Sequence, residues 1–141
     1  MSCIYWDTML FIYWLEDHRE FAPRVGEIHA KMMQRGDRWC TSVFTLGEIL
    51  AGPYKQNAAD VAMQIRDTIR TLGVDLLPFT EETADRYARV RSTGKVSPAD
   101  AIHLATAGQA GVDLFLTNDR RLQGIVVPGI DFVAGLDVNL F

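Results

Sequence analysis

Short apolar runs alternate along this chain with longer stretches in which apolar residues recur every three or four positions, a pattern that predicts strands separated by helices. Residues 2–6, 38–42, 74–78 and 114–117 read as strands, and the tail from 125 to 133 supplies one more short strand. Helices are expected at about residues 8–16, 21–34, 45–51, 58–72, 81–92 and 98–110. In the fourth of these, Val61, Ile65, Thr68, Ile69 and Leu72 fall at helical spacing. Gly36 and Gly73 mark helix ends, and Gly52-Pro53 is expected to break the third helix after Ala51. Thr80 and Ser97 are the natural caps of the last two, with Glu81 and Glu82 suited to one positive end and Pro98 at the first position of the other. Strands alternating with helices imply βαβ units, a mostly parallel sheet and right-handed crossovers. The expected class is therefore a three-layer α/β/α fold. Periodicity does not give the strand order.

Composition narrows the picture without redirecting it. A length of 141 residues fits one domain spanning 1–141, and 48% hydrophobic with 23% charged residues is the profile of an ordinary globular core. Eighteen acids against fourteen bases leave a net charge of −4, so no global basic field draws the chain to nucleic acid. If several acids are taken up by cations, however, the remainder is close to neutral. Cys3 and Cys40 have no metal-like spacing and read as small buried hydrophobes of a reducing compartment. The apolar start of the chain lacks the basic residues and cleavage site of a signal peptide, and Asp7 interrupts it. No other segment approaches the roughly 20 apolar residues of a spanning helix. The expectation is a cytoplasmic protein with no membrane segment.

Four acids share one kind of position. Asp7 directly follows the first strand, Glu48 sits in the first turn expected from Thr45, Asp100 comes three residues after Ser97, and Asp119 follows the fourth strand. The carboxyl edge of an open parallel sheet is the usual place for a ligand site, and helix N-termini aimed there favour ionised carboxylates. Each acid also has a purely structural reading. Thr45-x-x-Glu48 and Ser97-x-x-Asp100 have the form of capping boxes, Asp7 suits a helix cap, and Asp119 suits a turn. Their joint placement is what carries chemistry. Four carboxylates at one edge repel unless a cation lies among them, and hard divalent ions take oxygen ligands.

At these residues the chain resembles a known family. Asp7-Thr8 after the first strand, Gly47-Glu48-Ile49-Leu50-Ala51-Gly52, Pro98-Ala99-Asp100-Ala101-Ile102-His103-Leu104-Ala105-Thr106-Ala107 and Leu116-Thr117-Asn118-Asp119 look like PIN-domain nucleases. The likeness is greatest to the VapC-type toxins of bacterial toxin–antitoxin pairs, and it covers nearly the whole chain. It implies a five-stranded parallel sheet flanked by helices, cleavage of single-stranded or looped RNA dependent on Mg²⁺ or Mn²⁺, homodimerisation, and inhibition by a small antitoxin encoded alongside. Carried over by position, Asp7, Glu48, Asp100 and Asp119 match the acidic quartet, and Thr117 matches the hydroxyl residue that often accompanies the fourth acid.

On this reading Asp7, Asp100 and Asp119 hold one or two metal ions, with Glu48 a ligand or the holder of a water, and the cation makes hydroxide available near neutral pH. No Ser–His or Cys–His nucleophile is evident. Candidate substrate contacts are Thr117, Asn118, Arg120 and Arg121, with a second basic run at Arg86, Arg89, Arg91 and Lys95 that reads equally as a solvated helix face. Tyr5, Trp6, Phe11, Tyr13 and Trp14 are expected in the core or a dimer interface rather than stacked on bases. His103, one turn beyond Asp100, either faces the site or is a satisfied structural residue. His18 and His29 have no partner legible in the sequence. Two other classes fit strand-end acids. A receiver-type signalling domain would want paired acids after the first strand and a late lysine, and no lysine follows Lys95. A catalytically silent interaction module is the remaining alternative. P-loop, dinucleotide-binding and zinc-protease signatures are absent.

Overall fold

The computed structural model describes residues 2–137 and 139. Among these, five strands alternate with six helices in the order β1 (Cys3–Trp6), α1 (Thr8–Leu15), α2 (Ala22–Arg35), β2 (Arg38–Ser42), α3 (Val43–Lys55), α4 (Ala59–Thr71), β3 (Asp75–Leu77), α5 (Glu81–Ser92), α6 (Pro98–Ala110), β4 (Leu114–Leu116) and β5 (Phe132–Ala134). All neighbouring strands are parallel, in the spatial order β3-β2-β1-β4-β5.

Period-two alternation distributes β1 between two cores. Ile4 and Trp6 face one way, into a cluster with Leu10, Phe11, Val25, Ile28, Met32 and Trp39 under α1–α4. Tyr5 faces the other way, among Leu104, Ala107 and Phe115 under α5 and α6. Both faces of the central strand are thus sealed, as a parallel sheet requires. The first core is aromatic: the Trp6 ring lies 4.7 Å from Trp39, and Phe11 stacks on Trp39 at 5.7 Å. Tyr5, Trp6, Phe11 and Trp14 are accordingly packing residues, and Tyr13 packs against the first core while also reaching the sheet's carboxyl edge.

Most element ends fall within two residues of expectation; the exceptions are the start of β5, which is confined to Phe132–Ala134 of the expected 125–133, and the end of α3, which runs four residues past Ala51. Ser42, not Thr45, is its cap, with Oγ accepting from Thr45 N at 3.1 Å, so the helix starts earlier and Glu48 stands in its second turn rather than its first. The expected break at Gly52-Pro53 does not occur. Pro53 is the third residue from the end, where its missing N–H costs a single late ladder bond. Gln56 N and Ala58 N then close the terminus on the Pro53 carbonyl. Gly36, at φ +72°, ends α2 in the left-handed conformation that glycine adopts without steric cost.

The strand order fixes where a site can form. From β1 the chain runs outward to β2 and β3 on one side, and β4 and β5 fill the other. The carboxyl ends of β1 and β4 therefore flank the point where the order reverses, and open α/β sheets leave a crevice there. Asp7 and Asp119 follow those two strands. No described helix is long and apolar enough to cross a membrane.

Candidate metal centre

A cavity of about 450 Å³ opens at that crevice and is lined by Asp7, Glu48, Asp100 and Asp119, together with Thr8, Tyr13, His103 and Asn118. Residues up to 112 positions apart in the chain thus meet around one space, each delivered by a different local device.

Asp7 is the innermost acid. It caps α1, Oδ1 accepting from Thr8 N at 2.8 Å, while Oδ2 accepts from the Thr117 hydroxyl at 2.7 Å. Its structural and chemical readings therefore coexist in one side chain. Burial pushes its carboxyl above the ordinary range, with the Asp100 charge adding to the rise; His103 and the bonds from Thr117 and Thr8 oppose it. Thr117 is fully buried, and its Oγ1 also accepts from Asp119 N at 3.1 Å, so it ties the first and fourth acids together.

Asp100 sits in the first turn of α6, where its backbone N donates to Ser97 Oγ at 3.3 Å. Only the forward half of the expected capping box is formed, and no described side chain pairs with the Asp100 carboxylate. Glu48 comes from α3. Its Oε1 accepts from Thr8 Oγ1 and from His103 Nε2, both at 2.6 Å. Burial alone pushes the Glu48 carboxyl up, but these two bonds and the neighbouring imidazole outweigh it, leaving it below the usual range. Asp119 is held by Arg121 through two side-chain bonds, with Arg121 N donating to Oδ1 as well, and that guanidinium keeps its carboxyl low.

As the side chains lie, no three acidic, histidine or cysteine groups among the described residues converge closely enough to enclose an ion. The reasons are visible: Glu48 is drawn to Thr8 and His103, and Asp119 to Arg121. The donor chemistry nonetheless fits a hard divalent cation. It consists of carboxylate oxygens, with a buried Asp7 whose charge is opposed by Asp100, and an Asp100 that makes no ion pair with a described residue although the Arg121 charge reaches it.

Of the remaining candidates, Asn118 donates to Tyr13 Oη at 3.0 Å, and Arg120 is exposed. Arg86 is engaged structurally, donating to Gln109 and to the Pro128 carbonyl; Arg89 pairs with Asp85, and Arg91 donates to Val96 O. Cys3 and Cys40 are free thiols with sulfurs 3.8 Å apart. His18 Nδ1 accepts from Glu20 N and Phe21 N at the turn into α2, and His29 packs among Trp6, Trp14 and Trp39. The sequence marks Thr8 only within a motif and Tyr5 only as an aromatic of the core or a dimer interface, and it leaves His103 open between the site and a structural role. The one available signal was that His103 follows Asp100 by three positions, on the same helix face.

A parallel sheet whose switch-point crevice is lined by acids from four chain segments defines a class of α/β proteins with an anionic site at the strand ends. The PIN domain family model matches residues 4–126, and the chain belongs to that family. A DNA-bound VapBC from Salmonella typhimurium is similar in structure, with a TM-score of 0.74 at 21% identity over 96% of this chain and 99% of that one. VapBC2 from Rickettsia felis, bound to a promoter DNA fragment, gives 0.72 at 14% identity over 94% and 98%. A toxin–antitoxin complex from Klebsiella pneumoniae gives 0.62 at 20% identity over 90% and 94%. At these identities the likeness is one of fold. No curated protein sequence is matched. Family membership sets aside the receiver-type alternative.

Proposed function

We propose that this protein is a divalent-metal-dependent endoribonuclease and the toxin of a toxin–antitoxin pair. The observation that carries the reading is the meeting of Asp7, Glu48, Asp100 and Asp119 around one cavity at the sheet's switch point. Membership of the PIN domain family and the fold shared with toxin–antitoxin complexes support it. Asp7, Asp100 and Asp119 would hold Mg²⁺ or Mn²⁺, with Glu48 a fourth ligand or the holder of a water. When bound, the ion supplies charge stabilisation on a phosphodiester and an acidified water.

The chain's own residues do the rest. The α1 cap and Thr117 fix both oxygens of Asp7, so the innermost acid needs no reorganisation to bind. Exposed Arg120 lies beside the cavity's fourth acid and suits a phosphate flanking the scissile one. RNA as substrate, a proteinaceous antitoxin as partner, assembly as a homodimer and a cytoplasmic setting belong to the same reading.

The catalytically silent module is favoured by one observation, the pairing of Asp119 with Arg121. Two experiments separate the readings. Wild-type protein should cut RNA into defined fragments in Mg²⁺ or Mn²⁺, lose that activity in EDTA, and arrest growth when expressed. Glu48→Gln should do none of these. No cleavage by the wild type, or equal cleavage by both proteins, defeats the nuclease reading, and cleavage indifferent to EDTA defeats its dependence on a metal.

A further inference from the structure

Glu48 carries a long side chain from the second turn of α3, and nothing in its own helix fixes the direction of its carboxylate. Two groups from elsewhere do. Thr8 Oγ1 and His103 Nε2 converge on the single oxygen Oε1, each at 2.6 Å, while Oε2 accepts no hydrogen bond from any described residue. One oxygen is anchored and the other is left to the cavity that Glu48 lines.

The anchor is itself held from behind. His103 is buried, and its Nδ1 lies 2.7 Å from the Tyr5 hydroxyl. A carboxylate only accepts, so Nε2 must carry the proton that faces Glu48. In the neutral ring Nδ1 is then an acceptor, and the phenol donates to it. Tyr5 cannot drift, because it is fully buried on the central strand and stacked on Phe115 at 4.9 Å and 8°. Phe44 closes on the His103 ring from α3 at 5.4 Å. A rigid phenol thus sets the tautomer of an imidazole, which sets the aim of a carboxylate.

We propose that His103, backed by Tyr5, is a positioning residue that presents Glu48 to the divalent cation, an inference that rests on the metal-nuclease reading. Outer partners of this kind commonly change metal affinity by about 10–100-fold.

The test is titration of the purified full chain with Mn²⁺ alone, followed by electron paramagnetic resonance of the free ion, together with ring ¹⁵N spectra of His103 in EDTA. His103→Leu should weaken Mn²⁺ binding by about 10–100-fold. His103→Gln, which keeps a donor near the Nε2 position, should recover most of that loss. Tyr5→Phe keeps the imidazole and removes only the hydroxyl behind it. It should give a smaller loss and a mixture of ring tautomers where the wild type has a single Nε2–H form. Wild-type binding with unchanged affinity in His103→Leu overturns the positioning role alone. So does a wild-type spectrum with the proton on Nδ1 and none on Nε2, whatever the metal does; and should His103→Leu fail to fold, unchanged affinity and a single tautomer in Tyr5→Phe overturn it too. A wild type that binds no Mn²⁺ defeats the metal reading itself, and the proposal with it.

Discussion

Arg121 grips Asp119 two residues away with a forked pair of hydrogen bonds, Nε to Oδ1 at 3.0 Å and Nη2 to Oδ2 at 2.7 Å. The fourth acid of the cavity thus has an internal cation at its disposal, and any metal ion must compete with it. Arg121 is largely solvent-exposed, so the contact is screened and readily exchanged. Arg121→Gln should therefore raise the affinity for Mn²⁺ a few-fold, measured by titration at low ionic strength. Equal or weaker binding would show that the pair does not oppose the ion.

Asp7 carries the opposite electrostatic signature. Its folded pKa is raised, chiefly by burial, so its contribution to stability is present below the unfolded value near 3.9 and is lost as pH rises through the folded pKa. At neutral pH without metal the charged form is a liability. Asp7→Asn keeps an oxygen to cap α1, and the Thr117 hydroxyl can turn to accept from the new amide. The variant should melt higher than wild type at pH 7 in EDTA, with the gain vanishing below about pH 4. Asp7→Ala loses the cap as well, which typically costs about 1 kcal/mol. A lower melting temperature for Asp7→Asn at pH 7 would make Asp7 a structural cap first.

Arg120 is exposed beside the cavity, and no described side chain pairs with it. Each phosphate that a cationic side chain neutralises adds about one unit to the slope of log RNA affinity against log salt. Arg120→Gln should therefore flatten that slope by about one unit. An unchanged slope would clear the residue of that role.

The loop before β5 offers a test of the fold alone. Gly129 has φ +90°, and a Cβ there would run into the Gly108 carbonyl of α6 and the Arg86 guanidinium. The left-handed conformation alone costs a residue with a side chain about 1–2 kcal/mol, and the backbone collision adds to it. Gly129→Ala should lower the urea midpoint accordingly. An unchanged midpoint would mean the loop and α6 part more easily than their packing suggests.

Much of this was legible in the chain because the signals were local. Period-two alternation in Ile4-Tyr5-Trp6 and the caps Thr80 and Ser97 announce their elements directly, and Asp7 and Asp119 are marked by following strands. What the sequence withheld depends on distance or on competition. The order β3-β2-β1-β4-β5 is set by pairings between segments far apart, which leave no trace in periodicity. Ser42 outcompeted Thr45 as a cap, and Pro53 was tolerated because it fell in the last turn of α3. The partners of Glu48 lie 40 and 55 residues away, so neither the Thr8 nor the His103 contact has a sequence signature. Asp119 and Arg121 are near neighbours in the chain, yet an arginine there reads equally well as a substrate contact until its fork is seen to close on the carboxylate.

The shared use of one cation by the four acids is tested most directly by a crystal structure of the wild-type chain grown with Mn²⁺, read by anomalous scattering. An anomalous peak should lie within coordination distance of Asp7, Asp100 and Asp119, with the Arg121 guanidinium drawn away from Asp119. No peak in that cavity at saturating Mn²⁺, with the Asp119–Arg121 pair still closed, would contradict the metal centre.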